Sequence, residues 1–226
     1  MKALLERLAR HAYAWLFASL LLTLAIAPLL TAIESRANWH DALLAVNLIV
    51  AVLSVRSDRG FRPLAVLATV FVGLRIEAAL PFHTAGLLDW SDALWLALIL
   101  YILAPMVRRA LRPGPVDSER IFAALDTYLL AGLAFGMGHW LMDQVWPGSF
   151  GGAAAHGLSR NDAMYFSYVT LATLGYGDVV PVSPPARGFA VLEAVGGQLY
   201  IAVLIARLVS LAPAPQTGSD AEGPRR

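Results

Sequence analysis

The chain has 226 residues, of which 58% are hydrophobic and only 15% are charged. Soluble domains contain roughly 45–50% apolar and about 25% charged residues. With a mean hydropathy of +0.62, the chain carries more apolar surface than a soluble core of this length buries, which predicts a membrane protein. The formal net charge of +1 provides no field that attracts nucleic acid, and the absence of cysteine excludes disulfides, thiolate nucleophiles and cysteine metal sites.

Apolar runs separated by charged turns predict an all-α integral membrane protein with six transmembrane helices. In chain order the runs cover residues 13–33, 39–55, 63–80, 93–107, 121–141 and 188–211. A span needs about 20 apolar residues, so the second and fourth runs are short. The first run exceeds the roughly 7–15 apolar residues of a secretory signal and no convincing cleavage site follows it, so we interpret it as a span.

Basic residues are concentrated in alternate connections, before the first run, after the second and after the fourth. They are Lys2, Arg7, Arg10, Arg56, Arg59, Arg62, Arg108, Arg109, Arg112 and Arg120. By the positive-inside rule, both termini lie in the cytoplasm and the number of spans is even. The abundance of Arg and Ala is typical of a GC-rich bacterial genome, so we expect a multi-pass protein of the bacterial inner membrane.

The sequence Arg-Pro-Gly-Pro at 112–115 cannot continue a helix and divides the chain. A four-span N-terminal membrane domain, 1–112, precedes it, and a domain with the last two spans, 113–211, follows. The remaining residues, 212–226, are polar and Pro-rich and predict a disordered cytoplasmic tail. Within the second span, Asn47 predicts an interhelical hydrogen bond.

The stretch between the last two spans predicts a re-entrant helix and loop. Ser159 is a typical helix N-cap, and Asp162 three residues later completes a capping box. The helix predicted over 161–172 is too short to cross the bilayer. Gly175 and Gly177 then allow backbone angles that other residues avoid, so that successive carbonyls could point the same way. Irregular backbone at membrane depth is tolerated only where protein buries it or where it lines a watery path.

Residues 170–178, Thr-Leu-Ala-Thr-Leu-Gly-Tyr-Gly-Asp, resemble the selectivity filter of tetrameric potassium channels, with Leu174 where Val is usual. The resemblance covers about residues 121–211. It implies that backbone carbonyls and the Thr173 hydroxyl replace the hydration shell of K⁺, the permeant ion, and that no cofactor is needed. The implied filter is Thr173, Leu174, Gly175, Tyr176, Gly177 and Asp178, of which the first four supply carbonyls and the last lies at the outer mouth.

The resemblance also implies that the pore helix supports the filter. Tyr176 would be braced by Tyr165 and Phe166, with Thr170 just before the loop. Because one loop per chain cannot close a four-fold ring of carbonyls, we expect a homotetramer. We also expect the protein to bind membrane lipids and K⁺, and we expect no nucleic-acid partner.

The last span carries candidates for gating. The resemblance implies a bending hinge at Gly196 and Gly197, and close helix packing is the alternative. Residues at four-residue spacing share one face of this span: Glu193, Gly197, Ile201 and Ile205. If that face meets the ion cavity, the two isoleucines are candidates for an apolar gate, and Gln198 is a nearby polar candidate for the cavity wall.

Glu193 has two interpretations, because a carboxylate inside a span is expensive and usually has a role. It could line the cavity and concentrate cations. It could instead form hydrogen bonds behind the pore helix and hold the filter, which we favour slightly.

The fourth span argues against steep voltage gating. A sensor needs several arginines within the membrane, and residues 93–107 contain none. Arg108, Arg109 and Arg112 follow this run, where the positive-inside rule explains them. His139 and His156 could confer pH sensitivity through the outer linker.

These features predict a potassium-selective channel that conducts passively and is not classically voltage-gated. No phosphate loop, nucleophile elbow or metal-ligand cluster indicates an enzyme. Two alternatives stay open. One is a non-conducting membrane sensor or partner subunit that keeps the pore shape. The other is a subunit of a potassium-uptake transporter, although such proteins carry four degenerate loops in a longer chain.

Overall fold

The computed structural model describes residues 11–33, 46–47, 49–51, 87–112 and 117–210. Along these residues the elements follow in the order α1 (Ala12–Ile33), α2 (Leu87–Ala110), α3 (Ser118–Val145), β1 (Phe150–Gly152), α4 (Arg160–Leu171), β2 (Val179–Pro181) and α5 (Pro184–Ser210). The predicted third span, most of the second, the Pro-Gly-Pro linker and the predicted tail 212–226 lie outside the described residues, as do Lys2, Arg7, Arg10, Arg56, Arg59 and Arg62.

Within the described residues, three helices are long and apolar enough to cross a membrane: the segment Asp92–Ala110 of α2, all of α3 and all of α5. The apolar stretch of α1, Ala12–Ile26, is shorter. The prediction of a mainly helical membrane protein is therefore confirmed, whereas the count of six spans stays a prediction.

Two helices begin four or more residues earlier than the apolar runs predict. α2 begins at Leu87 rather than at residue 93, and α5 begins at Pro184 rather than at Gly188. Backbone hydrogen bonds continue past the end of an apolar run, so a helix can extend from the bilayer into the polar interface. In α5 the start suits proline, whose fixed φ and missing N–H are tolerated in the first turn.

α3 is the central helix of the described chain, and α1, α2 and α4 all pack against it. The shared core contains buried side chains from each of these helices: Leu16, Leu20, Trp95, Leu98, Ile102, Met106, Leu130, Leu133, Met137 and Met164. Asp117 caps the start of α3 by accepting a hydrogen bond from the backbone N–H of Arg120 at 2.8 Å.

Asn47 forms hydrogen bonds to α1, as predicted. Its Nδ2 donates to Oγ1 of Thr23 at 2.7 Å. The hydroxyl of Ser19 donates to its Oδ1 at 2.6 Å. Because Asn47 is 1% exposed, these bonds satisfy an amide that would otherwise be costly to bury.

Glycine lets α4 lie close against α3. A Cβ atom at Gly132 would come within 2.4 Å of the Tyr168 ring, and one at Gly136 within 2.6 Å of Met164 Sδ. The Tyr168 hydroxyl also donates to the carbonyl of Leu129 in α3 at 2.7 Å. Small residues that allow such close approach are typical of helix interfaces in membranes.

The strands β1 and β2 pair antiparallel, with Phe150 opposite Pro181 and Gly152 opposite Val179. This pairing joins the chain just after α3 to the chain just before α5. The Asp143 carboxylate accepts hydrogen bonds from the backbone N–H groups of Ser149 at 3.0 Å and Leu158 at 2.9 Å. The connection from α3 to α4 is therefore held at both ends, and α4 packs against both α3 and α5.

Candidate ion-conducting site

The short helix α4 begins and ends at defined caps. The Ser159 hydroxyl accepts a hydrogen bond from the N–H of Asp162 at 3.1 Å and donates to its carboxylate at 2.6 Å. The predicted N-cap at Ser159 is therefore confirmed. At the other end, the N–H of Thr173 donates to Thr170 at 3.0 Å and the N–H of Leu174 donates to Val169 at 2.9 Å. The chain thus leaves the helix directly into the predicted filter loop.

The backbone angle φ is positive at every second residue of this loop. Thr173, Gly175 and Gly177 have φ of 58°, 60° and 79°, and no positive φ occurs at Leu174 or Tyr176. Left-handed backbone is natural for glycine but unfavourable for threonine. Such backbone strain, which persists only where the surrounding structure imposes it, is typical of a functional site.

Tyr176 contacts one of its two predicted supports. Its ring stacks on Tyr165 of α4, with centroids 6.4 Å apart and planes 4° apart. A hydrogen bond to Asp178 raises the pKa of the Tyr165 hydroxyl. Phe166 instead is buried and packs against Phe150 and His139, with centroids 5.5 Å and 4.9 Å away. The side chains of consecutive helix residues point about 100° apart, so Tyr165 and Phe166 cannot both face the loop.

The end of the loop is tied to β1. The N–H of Ala153, which follows β1, donates to the backbone carbonyl of Asp178 at 2.7 Å. The side-chain carboxylate of Asp178 accepts a hydrogen bond from the N–H of Val179 at 3.0 Å. A Cβ at Gly152 would lie 2.2 Å from the Asp178 carbonyl, so this close approach requires glycine. Residues 172–178 are nevertheless exposed in the single chain, with Leu174 at 56% and Tyr176 at 67%.

The gating candidates of α5 differ in how much of each residue is buried. Gly197 is buried against α4, since a Cβ there would lie 2.6 Å from Leu171, whereas Gly196 has no atom within 4 Å of such a Cβ. Gln198 is exposed but donates from Nε2 to the Leu171 carbonyl at 3.4 Å. Ile201 is half-buried and Ile205 is exposed.

Glu193 lies behind α4. It is fully buried, its Oε2 is 2.7 Å from Nε2 of His139, and its Oε1 contacts the Ser167 hydroxyl. This placement favours the interpretation in which Glu193 holds the filter, because the side chain does not face an open cavity.

Sequence reasoning missed Ser167 and assigned His139 to the outer linker. His139 in fact lies inside α3, fully buried. A polar residue within an apolar span was the signal that could have singled it out, as it did for Glu193.

A family model of known proteins matches this same region. Residues 124–212 match the family model described as "Ion channel". Over 83 residues the chain is 36% identical to two pore potassium channel c of Oryza sativa subsp. japonica, a match that covers 37% of this chain and 18% of that protein. Over 104 residues it is 31% identical to the inward rectifier potassium channel Kirbac3.1 of Paramagnetospirillum magnetotacticum, covering 43% of this chain and 32% of that protein.

The chain therefore spans less than a third of the length of these curated relatives. No solved structure shows a significant match to it. Residues 124–212 are therefore similar to an ion channel domain, and part of the chain is similar to parts of two potassium channels.

Proposed function

We propose that the protein is a potassium-selective channel that passes K⁺ passively across a membrane. The observation that supports it best is the backbone of residues 173–177, where φ alternates in sign directly after a capped helix too short to span. Alternation of this kind can turn successive carbonyls toward one side, which a strand does not do. K⁺ would then bind at the carbonyls of Thr173, Leu174, Gly175 and Tyr176 and at the Thr173 hydroxyl.

The working protein in this proposal is a homotetramer. One chain supplies a single loop, and carbonyls must surround an ion on all sides to replace its water. α5 presents an apolar surface that nothing in the described chain covers: Val191, Leu192, Val195, Leu199, Val203 and Val209 are all exposed. Neighbouring copies and lipid would cover this surface, and the exposed filter residues would face the four-fold axis.

The remaining features of the proposal come from the sequence. Six spans, a four-span domain before the pore domain and cytoplasmic termini are proposed from hydropathy and positive-inside patterning. A bacterial inner membrane is proposed from the abundance of Arg and Ala. Gating is not steeply voltage-dependent, because residues 93–107 carry no arginine. Gln198, Ile201 and Ile205 are proposed to line the cavity or gate.

Purified protein in liposomes tests the function. We expect K⁺ flux that Ba²⁺ blocks and no comparable Na⁺ flux. Gly177→Ala should abolish K⁺-selective flux, because a side chain at φ +79° forces the loop to rearrange. Gly148→Ala is the matched control: its φ is +81° and its Cβ would also meet nothing within 4 Å, but it lies in the outer connection.

The outcome separates the channel from its alternatives. Flux that survives Gly177→Ala, or that carries Na⁺ as well as K⁺, contradicts the filter assignment. A tetramer that shows no flux at any pH, voltage or lipid composition contradicts the channel and favours a non-conducting sensor or partner subunit.

A further inference from the structure

A series of buried polar side chains links three helices behind the proposed filter. His139 of α3, Ser167 of α4 and Glu193 of α5 each have 0% exposure. Nε2 of His139 lies 2.7 Å from Oε2 of Glu193, and the Ser167 hydroxyl contacts Oε1 of the same carboxyl group. That hydroxyl also lies 2.8 Å from the carbonyl oxygen of Gly132 in α3.

The number of hydrogens available on these groups decides which atom donates in each contact. A hydroxyl has one hydrogen, and a backbone carbonyl has none to donate. The Ser167 hydrogen is therefore needed in the bond to Gly132. An ionised Glu193 would also be an acceptor only, and its contact with Ser167 would then bring two oxygens together without a hydrogen between them. The contact is satisfied when Oε1 of Glu193 carries the hydrogen and donates it to Ser167.

The imidazole of His139 completes the same scheme. Among the described residues, Nδ1 of His139 has no hydrogen-bond partner, and a buried N–H is left unpaired more rarely than a buried acceptor. The hydrogen therefore belongs on Nε2, which donates to Oε2 of Glu193. The rings of Phe150, Phe166 and Phe189 pack around the imidazole with centroids 5.5, 4.9 and 4.9 Å away.

Net charge favours the same arrangement. A neutral His139 beside an ionised Glu193 would leave one negative charge buried at membrane depth, which is expensive. A charged imidazolium–carboxylate pair would be neutral overall. It would, however, leave the N–H at Nδ1 of His139 without an acceptor. It would also leave no hydrogen between the Ser167 and Glu193 oxygens, because the Ser167 hydrogen is in the bond to Gly132.

We propose that Glu193 is an uncharged, protonated positioning residue for the selectivity filter. His139 donates to Glu193, Glu193 donates to Ser167, and Ser167 donates to Gly132. The series fastens the middle of α4 to both long helices and so sets the position of the loop that begins at Thr173. Its role in ion selection rests on the proposed function, whereas the protonation of Glu193 does not.

Infrared spectroscopy of the assembled protein at neutral pH tests the protonation directly. The difference spectrum between wild type and Glu193→Gln should contain the C=O stretching band of a carboxylic acid, lost in the variant. Glu119→Gln, which removes a carboxylate from the first turn of α3, should leave that band in place. A difference spectrum with only carboxylate bands would show that Glu193 is ionised and would overturn the proposal.

Ion selection tests the positioning role. The K⁺/Na⁺ permeability ratio of Glu193→Gln should stay within about twofold of wild type, because a glutamine amide has the same donor and acceptor as the protonated acid. Glu193→Leu and Ser167→Ala should lower the ratio roughly tenfold or more, since each breaks a buried hydrogen bond. Thr127→Val is the matched control, because it removes a buried hydroxyl of α3 that bonds to the Ala123 carbonyl and to Tyr200 of α5 but not to α4.

The results separate the two proposals. If Glu193→Gln loses selectivity as completely as Glu193→Leu, the charge matters and the neutral series is wrong. Wild-type selectivity in Ser167→Ala also contradicts it. Should Glu193→Leu fail to assemble, the glutamine and alanine variants decide. A wild type without K⁺-selective flux contradicts the proposed function, and the infrared result still decides the protonation.

Discussion

Two neighbouring glycines of α5 show how single residues divide between packing and flexibility. A side chain at Gly197 would collide with Leu171, the last residue of α4, whereas Gly196 has free space. The two glycines looked equivalent in the sequence because both fall near the middle of the last span. Only their orientation toward α4 distinguishes them, and this orientation assigns packing to Gly197 and leaves Gly196 as the hinge candidate.

Alanine substitution should separate these roles. Gly197→Ala should be about 1–3 kcal/mol less stable than Gly196→Ala, because its methyl group must push aside the end of the Leu171 side chain, whereas both variants gain the same helix preference. Gly196→Ala should stabilise the protein by roughly 0.5–1 kcal/mol, since alanine favours helix, and should reduce open probability if bending occurs there. Thermal unfolding in detergent and single-channel recording measure the two effects. Equal stability changes in the two variants would contradict the assignment.

At the scale of elements, the start of α4 is anchored to two other helices. The Arg160 guanidinium pairs with Asp92 of α2 and lies 4.4 Å from the centroid of the Trp140 ring of α3. Asp92 is fully buried, whereas the Arg160 side chain is 24% exposed. α2, which precedes the residues that match the ion channel model, therefore contacts α4 directly at this end.

The difference in burial predicts unequal costs for breaking the pair. Arg160→Gln should destabilise the protein by roughly 1–3 kcal/mol, because the fully buried Asp92 carboxylate loses its ion pair with Arg160 and keeps only its other contacts. Asp92→Asn should cost less, because Arg160 keeps partial exposure and its contact with Trp140. Thermal unfolding of the two single variants and the double variant measures the coupling. A larger loss for Asp92→Asn than for Arg160→Gln would contradict this picture.

How far the elements could be predicted differs from one to the next. The cap at Ser159, the short helix after it and the apolar core of α3 follow from local pattern, because capping and hydropathy act over a few residues. The pairing of β1 with β2 did not follow, since its strands have three residues each and lie 26 residues apart. The early starts of α2 and α5 were missed because hydropathy marks the bilayer and not the end of the helix.

At the scale of the whole molecule, K⁺ should stabilise the assembled channel. If four loops share each ion, binding occurs only in the folded tetramer, and removal of K⁺ shifts the equilibrium toward separated or unfolded chains. K⁺ at 100 times its dissociation constant would contribute about 2.7 kcal/mol for one site.

Replacing K⁺ with Na⁺ should therefore lower the thermal midpoint of tetramer loss, measured by native mass spectrometry or gel mobility. The Gly177→Ala variant serves as the control, since its midpoint should be the same in both salts. A wild type whose tetramer is equally stable in the two salts would contradict ion binding at a shared filter.

The sequence by itself determined that the chain belongs in a membrane, that a capped short helix precedes a Gly-Tyr-Gly loop, and which residues that loop contains. These are local properties, set by hydropathy, capping and the conformational freedom of glycine. The tertiary structure decided which of two glycines packs, which aromatic faces Tyr176, and that Glu193 meets His139 and Ser167. Those contacts join residues 26 and 54 positions apart, and no local pattern specifies which faces of three packed helices meet.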